Sequence, residues 1–355
     1  MKNPVKLFVL FLMFVFDTSC GQNQTNPPKD NISKGLYTES QLKDAATSRV
    51  PIGMVRHVKQ ARNGDILIAS YLSVFRYDGT SFTNLTNEIS SPRVSSFWDV
   101  LEDRKGNLWF GSKDSGVYHY NGKSFQHFTT KDGLASNMAL HLYEDRAGNI
   151  WVGSSRYDGK SFRNFTTKDG FPSNNIRLLL EDKTGKLWFG AQGEDLFVYD
   201  GKTYTVLRNK DGKAFNNVWG IIEDKKGNIW FGATIIEDKR GDTSFVSQGL
   251  WRYDGRIFTK VSQRGAYAII QDKKGNIWTT GEVYSNVWAL SRYDANSLYN
   301  KNPTVTEIMS GGPALLGILE ANDGSIWFGG LGSMSGVHRY DGKTITDFKG
   351  KEGQK

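Results

Sequence analysis

Adjacent carboxylates are the first feature of this sequence that could do chemistry. Glu102 and Asp103 open the stretch EDRKGNLWFGS, and a Glu–Asp pair also opens three related stretches, at 144–145, 181–182 and 223–224. Two carboxylates that face one substrate can act as general acid and general base. Adjacent residues of a β-strand point to opposite faces, so such a pair cannot share a substrate. The Asp is therefore predicted to form a turn.

Histidine is the second residue type that could carry acid–base or metal chemistry. The five histidines, at 57, 119, 127, 141 and 338, have no metal-ligand spacing. His57 and His141 follow directly after a register position proposed below for ligand binding, and they could act as general bases, although no acid is paired with them in the sequence. The sequence contains no nucleophile elbow and no Walker loop. No catalytic residue, metal site or cofactor is predicted.

The EDRKGNLWFGS stretch returns in altered form down the chain, which marks a repeated structural unit. Six copies carry a Trp, at 109, 151, 188, 230, 278 and 327, and a weaker first copy has Leu67 in its place. Seven copies, mostly about 40 residues apart, are typical of a β-propeller. The predicted fold is all-β, a seven-bladed β-propeller of four-stranded antiparallel blades over residues 51–350.

Each copy can be divided into strands A to D. An apolar segment forms strand A, and DRKG then places Asp103 first and Gly106 fourth in a type I turn. Strand B, NLWFGS, is apolar on consecutive positions, so both of its faces are predicted to be covered and its Trp to pack between blades. Strand C ends at a Tyr, and an Asp-Gly or Asn-Gly turn leads into strand D.

The order of these elements resembles a known family. TKDGLASN, followed by YEDRAGNIWVGS and YDGKSF, is similar to the two-component regulator propeller repeat, and the resemblance extends over roughly residues 54–348. It implies a propeller of the kind that forms the periplasmic sensor region of hybrid histidine kinases, often recognising oligosaccharide fragments. The sequence continues for only a few residues after the seventh copy. A stand-alone propeller without a kinase is therefore expected, with a binding tendency and no assigned signal output.

One register position of strand A, eleven residues before the Trp, differs from its neighbours. Those neighbours are mostly Val, Leu and Ile, whereas this position carries an aromatic or guanidinium side chain in five of the seven copies. At the mouth of a propeller channel, aromatic faces can stack on sugar rings and Arg can hold a carboxylate through two hydrogen bonds. The alternative is packing between blades. The predicted ligand-binding residues are Arg56, Trp98, Arg177, Trp219 and Tyr267, and Leu140 and Leu316 occupy the position in the other two copies.

The connection between strands B and C varies in length among the copies. It is shortest in the third copy, where Gly153 is followed almost at once by SSRYDG, and longest in the fifth, which contains IIEDKRGDTSFVSQ. An exposed insertion on a rigid scaffold is a common place for binding specificity. A tolerated insertion without a role explains the fifth copy equally well.

The N-terminus resembles a lipoprotein export signal. Lys2 and Lys6 precede ten apolar residues, 7–16, a run of signal-peptide length and too short to span a bilayer. Cys20, the single cysteine, stands where such a signal is cut and lipidated. The predicted organisation is a signal at 1–20, a polar tether at 21–50, the propeller, and a tail at 351–355. The expected location is the cell envelope, lipid-anchored and facing the periplasm, with secretion as the alternative.

The charge and composition of the chain limit the kinds of partner that can be expected. The net charge of +8 and pI near 9.2 come mostly from Lys residues in turns, without a dense basic block. Nucleic acid is therefore not a predicted partner, and the membrane is contacted through the lipid anchor only. The predicted function is non-catalytic binding of an oligosaccharide or other small ligand, or of an envelope protein. The alternatives are a streptogramin-lyase-like enzyme, with His, Glu and a divalent metal at the channel mouth, and a protein docking platform.

Overall fold

The computed structural model describes residues 48–87, 89, 96–191, 193–239, 242–312 and 314–349. The predicted signal, Cys20, the tail and all but residues 48–50 of the tether lie outside this range and stay predictions. Within the described range, no helix has the length and apolarity needed to cross a membrane.

The described residues form seven four-stranded antiparallel sheets, so the predicted seven-bladed propeller is confirmed. Each sheet is a meander in which consecutive strands pair. Three short 3-10 helices lie at Thr130–Asp132, Thr167–Asp169 and Gly332–Met334. The strands, four to a blade from blade 1 to blade 7, are β1 Val55–Gln60, β2 Ile66–Ser70, β3 Val74–Tyr77, β4 Phe82–Asn84; β5 Phe97–Glu102, β6 Leu108–Ser112, β7 Val117–Tyr120, β8 Phe125–Phe128; β9 Leu142–Glu144, β10 Ile150–Val152, β11 Ser155–Tyr157, β12 Phe162–Asn164; β13 Arg177–Glu181, β14 Leu187–Ala191, β15 Glu194–Tyr199, β16 Tyr204–Val206; β17 Ile221–Glu223, β18 Ile229–Lys239, β19 Asp242–Tyr253, β20 Phe258–Ser262; β21 Ala268–Gln271, β22 Ile277–Tyr284, β23 Val287–Tyr293, β24 Val305–Gly311; and β25 Ala314–Glu320, β26 Ile326–Leu331, β27 Gly336–Tyr340, β28 Ile345–Asp347.

The repeated Trp packs between blades, as predicted. Trp109 of blade 2 is 2% exposed and lies in one apolar cluster with Leu142 and Ile150 of blade 3. The glycine that closes the motif permits this close approach, because a Cβ on Gly111 would overlap the carbonyl oxygen of Ala139 in the next blade. The seven blades thus share a continuous series of apolar interfaces.

The Asp of the repeat forms the predicted turn and also anchors the Trp. In blade 2, Asp103 Oδ1 accepts hydrogen bonds from the backbone N–H groups of Lys105 and Asn107. Its Oδ2 accepts a hydrogen bond from the indole Nε1 of Trp109 at 3.0 Å. The same indole–carboxylate bond, 2.8–2.9 Å long, recurs in blades 3 to 6. It satisfies a buried indole N–H that would otherwise have no partner.

The Glu of the repeat accepts a hydrogen bond from the A–B turn of the preceding blade. This backbone bond is made at all seven junctions between blades, at 2.7–3.0 Å, and we call the set the inter-blade belt. Its donor and acceptor residues, from the first junction to the last, are Arg62 and Glu102, Arg104 and Glu144, Arg146 and Glu181, Lys183 and Glu223, Lys225 and Gln271, Lys273 and Glu320, and Asn322 and Gln60. The Glu–Asp pairs are therefore structural.

The junction that closes the ring, between blades 7 and 1, is built differently from the other six. At each of those six, the long cationic side chain of the donor residue also donates to turn carbonyls of the next blade. At the closing junction the donor residue is Asn322, which has no such reach. Besides the belt bond, one apolar cluster joins Val55 and Phe75 of blade 1 to Trp327 and Phe348 of blade 7.

The connections between strands B and C project to different distances from the blades, in line with their different lengths in the sequence. In blade 3, only residues 153–154 separate β10 from β11. In blade 5, the extra residues do not form a loop, because β18 and β19 continue as a long hairpin paired out to Lys239 and Asp242. Blade 6 carries a second extended hairpin, β22–β23, paired out to Tyr284 and Val287. The wall on this face is therefore low at blade 3 and high at blades 5 and 6.

Candidate functional site

The five residues predicted for binding lie together around the central channel, joined by side-chain contacts. The Arg177 guanidinium lies 4.1 Å from the Trp219 ring centroid, and Trp219 stacks on Tyr267 with centroids 5.1 Å apart. The Arg56 guanidinium hydrogen-bonds the side chain of Tyr267 and lies 3.1 Å from the Trp98 ring centroid. One connected set thus brings together residues from blades 1, 2, 4, 5 and 6. Their role in binding stays a prediction.

Irregularities at the start of strand A orient two members of this set. In blade 1 the β1–β2 register shifts between Val55 and His57, and in blade 2 the β5–β6 register shifts between Phe97 and Asp99. Arg56 and Trp98 are the extra residues at these shifts. A bulge bends its strand and redirects the side chain of the extra residue.

The faces of Trp98 are largely covered. Its side chain is 8% exposed, and the Arg56 guanidinium occupies one face of the ring. Little of this indole is left for a sugar ring to stack on. Trp219 and Tyr267 are only partly buried, and both residues line the same two cavities.

Arg177 is the member whose surroundings are least expected for packing alone. The residue is 6% exposed, and its Nη2 atom has no hydrogen-bond partner within the described residues. Burial lowers the pKa of the guanidinium to about 10, so it remains charged at neutral pH. A buried charge without a counter-charge is costly and is normally paired. Arg177 therefore presents an unmatched positive charge to the channel.

Arg177 lines a cavity of about 130 Å³ at the channel. Its wall also includes Trp98, His141, Trp219 and Tyr267. Another protein cavity of about 150 Å³ is known to hold a benzene molecule, so the space suits one six-membered ring. We call this space the channel cavity.

Beside the channel cavity, Asp99 connects the A strands of three blades. The side chain of Asp99 is fully buried. Its Oδ1 lies 3.0 Å from Lys59 Nζ in blade 1, and its Oδ2 accepts a hydrogen bond from the backbone N–H of Leu142 in blade 3 at 2.8 Å. Burial alone would raise the pKa of Asp99, but the surrounding positive groups and this hydrogen bond hold it at about 2. Asp99 is thus an ionised structural tie.

Two histidines adjoin Asp99. His57 Nδ1 donates to the carbonyl oxygen of Trp98 at 2.7 Å and lies 3.4 Å from Asp99 Oδ1. The rings of His57 and His141 meet edge to face, with centroids 6.1 Å apart. Burial lowers the pKa of His57, and it lowers that of His141 to about 3, so both rings are neutral at pH 7. No acid is paired with these histidines in the sequence, but in the structure Asp99 lies beside His57.

A sequence signal for this contact existed. At the position ten residues before the repeat Trp, or before Leu67 in the first copy, the first three copies carry His57, Asp99 and His141. The next two copies carry Leu178 and Gly220 at this position. Three polar residues at one register position of consecutive blades indicate a shared environment. These residues are far apart in the chain, so the signal becomes visible only when neighbouring copies are aligned. Within the described residues, no group of three or more His, Cys, Asp or Glu side chains is arranged to hold a metal ion.

With this geometry established, solved structures of similar fold can be compared. The extracellular domain of BT3049 from B. thetaiotaomicron is 15% identical with a TM-score of 0.46, over 83% of this chain and 52% of that one, so this chain spans about half its length. Virginiamycin B lyase from Staphylococcus aureus is 13% identical with a TM-score of 0.56, over 80% and 93% of the two chains. PorZ of Porphyromonas gingivalis, a surface component of the type-IX secretion system, is 14% identical with a TM-score of 0.55, over 83% and 47%. Such identities show the fold alone.

The family comparison is more specific. No curated protein matches the sequence at a significant level. The family model "Two component regulator propeller" matches residues 91–114, 133–156, 170–193 and 212–235. Each matched stretch contains strand A and the repeat Trp of one blade, from blade 2 to blade 5, and together they include Trp98, Arg177 and Trp219. Blades 2 to 5 of this seven-bladed propeller therefore carry two-component regulator propeller repeats.

Proposed function

We propose that this propeller is a non-catalytic, sensor-like binding module that holds the carboxylate of a small acidic ligand, such as a sugar acid, in the channel cavity. The observation that carries the proposal is Arg177, a buried and charged guanidinium whose Nη2 atom has no partner in the described part of the chain. A carboxylate would supply the missing counter-charge and accept two parallel hydrogen bonds.

The surroundings of Arg177 support an anion. Asp99, the carboxylate beside His57, does not line the cavity and is already matched by Lys59 at 3.0 Å. His57 and His141 are neutral at pH 7, since burial lowers the pKa of both, so they can donate or accept hydrogen bonds without adding charge. The aromatic rings of Trp219 and Tyr267 offer apolar surface to a sugar ring.

We further propose that the module works in the cell envelope. The support is the sequence of the N-terminus, where Lys2 and Lys6 precede the apolar run 7–16 and Cys20 follows at the position of a lipidation site.

The test is calorimetric titration with glucuronate and with glucose as the neutral counterpart. Wild-type protein is expected to bind glucuronate more tightly than glucose. Arg177→Met should weaken glucuronate binding about 10- to 100-fold, because a hydrogen bond to a charged group contributes roughly 1.5–3 kcal/mol. Without ligand, the variant should unfold at the same temperature as wild type or above, because it removes a buried unmatched charge while Met keeps contact with Trp219.

A matched control is available in blade 6. The Arg292 guanidinium also lies beside a tryptophan, 5.8 Å from the Trp278 ring centroid, but Arg292 does not line the channel cavity. Arg292→Met should leave glucuronate affinity unchanged. Equal binding of glucose and glucuronate, or an Arg177→Met protein that is less stable yet binds normally, would show that Arg177 serves packing.

A further inference from the structure

A second cavity adjoins the first, at the base of the two long hairpins. It has a volume of about 170 Å³ and lies between blades 5 and 6. Trp219 and Tyr267 line both cavities, so the two spaces share a wall. Together their volumes reach the lower end of the range for small-molecule sites, roughly 300–1,000 Å³. We call the second space the blade 5–6 cleft.

The chemistry of the cleft differs from that of the channel cavity. Its aromatic wall continues from Tyr267 to Trp288, whose ring meets Tyr267 edge to face with centroids 5.9 Å apart. Its polar groups include Gln248 and Glu282. In the described part of the chain, Gln248 makes no side-chain hydrogen bond, and Glu282 has no ion-pair partner, its Oε1 accepting only the backbone N–H of Asn286 at 2.8 Å.

This combination suits a hydroxyl-rich, uncharged ring. A carboxylate accepts hydrogen bonds from hydroxyl groups, an amide both donates and accepts, and an aromatic wall packs against the C–H face of a sugar. A second carboxylate of a ligand would be repelled by Glu282. The channel cavity, with Arg177, has the opposite preference.

The geometry points to a two-part site in which the channel cavity holds the acidic residue of a short oligosaccharide and the blade 5–6 cleft holds the neutral sugar joined to it. This inference rests on the proposed function and specifies its ligand. The long hairpins of blades 5 and 6 border the site on one side of the channel. The short B–C connection of blade 3 leaves the other side of the channel mouth open. The two parts of the ligand would contact one continuous aromatic surface formed by Trp219, Tyr267 and Trp288.

The test compares three ligands on the full chain by calorimetric titration. They are glucuronate, a disaccharide in which glucuronate is linked to glucose, and cellobiose as the neutral disaccharide. The acidic disaccharide should bind about 2- to 12-fold more tightly than glucuronate, because its second sugar gains an aromatic contact that glucuronate lacks. Trp288→Ala should remove this gain and leave glucuronate affinity unchanged. Gln248→Ala, with a smaller change in shape, should reduce the gain in part.

The outcomes separate the two proposals. If glucuronate binds and depends on Arg177, but the added glucose gives no gain or the gain survives both cleft variants, the two-part site is wrong and the proposed function stands. If cellobiose binds as tightly as the acidic disaccharide and both need Trp288, the cleft is a sugar site and the carboxylate role of Arg177 is wrong. If no saccharide binds to folded wild-type protein, both proposals are overturned. Unchanged glucuronate affinity in Trp288→Ala also shows that this variant is folded.

Discussion

The closing junction should be the weakest of the seven, and two glutamines allow a matched comparison. Gln60 at the closing junction and Gln271 at the junction of blades 5 and 6 accept the same belt bond, at 2.9 and 2.8 Å. Each also donates to a glycine carbonyl of its own turn, Gln60 at 2.8 Å and Gln271 at 3.3 Å. The difference is the lysine: Lys225 Nζ donates to two carbonyls of blade 6, whereas Asn322 cannot do the same for blade 1.

The expected magnitudes follow from these bonds. Gln60→Ala removes two hydrogen bonds of good length, and at about 0.5–1.5 kcal/mol each the free energy of unfolding should fall by roughly 1–3 kcal/mol. Gln271→Ala removes one good bond and one long one while Lys225 still joins the blades, so the loss should be about 0.5–1.5 kcal/mol. Packing at the closing junction is left intact by both changes.

The assay is urea unfolding followed by tryptophan fluorescence, with hydrogen exchange at the two junctions. Gln60→Ala should have the lower urea midpoint, and faster exchange should be confined to β1 and β25–β26 around the closing junction. If Gln271→Ala is destabilised as much as Gln60→Ala, or if exchange rises evenly around the ring, the lysine contacts do not strengthen the other junctions and the reasoning is refuted.

Two further predictions concern the motif Asp and the channel histidine. Asp224 Oδ2 accepts a 2.8 Å hydrogen bond from the fully buried indole N–H of Trp230, so Asp224→Ala should lower the free energy of unfolding by about 2–5 kcal/mol. Asp254→Ala, in an exposed turn, should lower it by less than half as much. Equal urea midpoints for the two variants would contradict this expectation. Burial lowers the pKa of His141 from 6.5 to about 3. Between these two pH values the unfolded chain binds more protons than the folded chain, so the free energy of unfolding should decline by at most about 1.4 kcal/mol for each unit by which the pH falls. His141→Leu should therefore flatten the fall in melting temperature between pH 7 and pH 5. Parallel profiles for His141→Leu and wild type would count against a neutral buried ring.

The features that could be predicted from the sequence depend on residues that lie close together within one repeat and recur in the others. The Trp109 interface, the Asp103 turn and the four strands of a blade depend on residues close in the chain and repeated along it, so each copy supports the others. Comparing copies also singled out Arg177, because a charged residue stands where its neighbours are apolar.

The features that were not predicted are contacts made by one particular pair of blades and not repeated in the others. Asp99 meets Lys59 and His57 across the boundary between blades 1 and 2, at a register set by a strand irregularity that the apolar pattern does not reveal. The stacking of Arg56 over Trp98 has the same origin. The cleft was missed because Gln248 and Trp288 belong to extended hairpins, and only the first of these was recognised as an insertion.

The inter-blade belt also bears on how this sequence can change over time. Because one interaction is made seven times, the loss of a single copy removes a small part of the total, and replacements can accumulate without unfolding the ring. The chain already shows such drift, because Gln60 and Gln271 accept the belt bond where the other copies have Glu. A framework that tolerates substitution in its own repeats leaves the residues around its channel free to diverge, so related propellers can acquire new ligands while keeping the same ring.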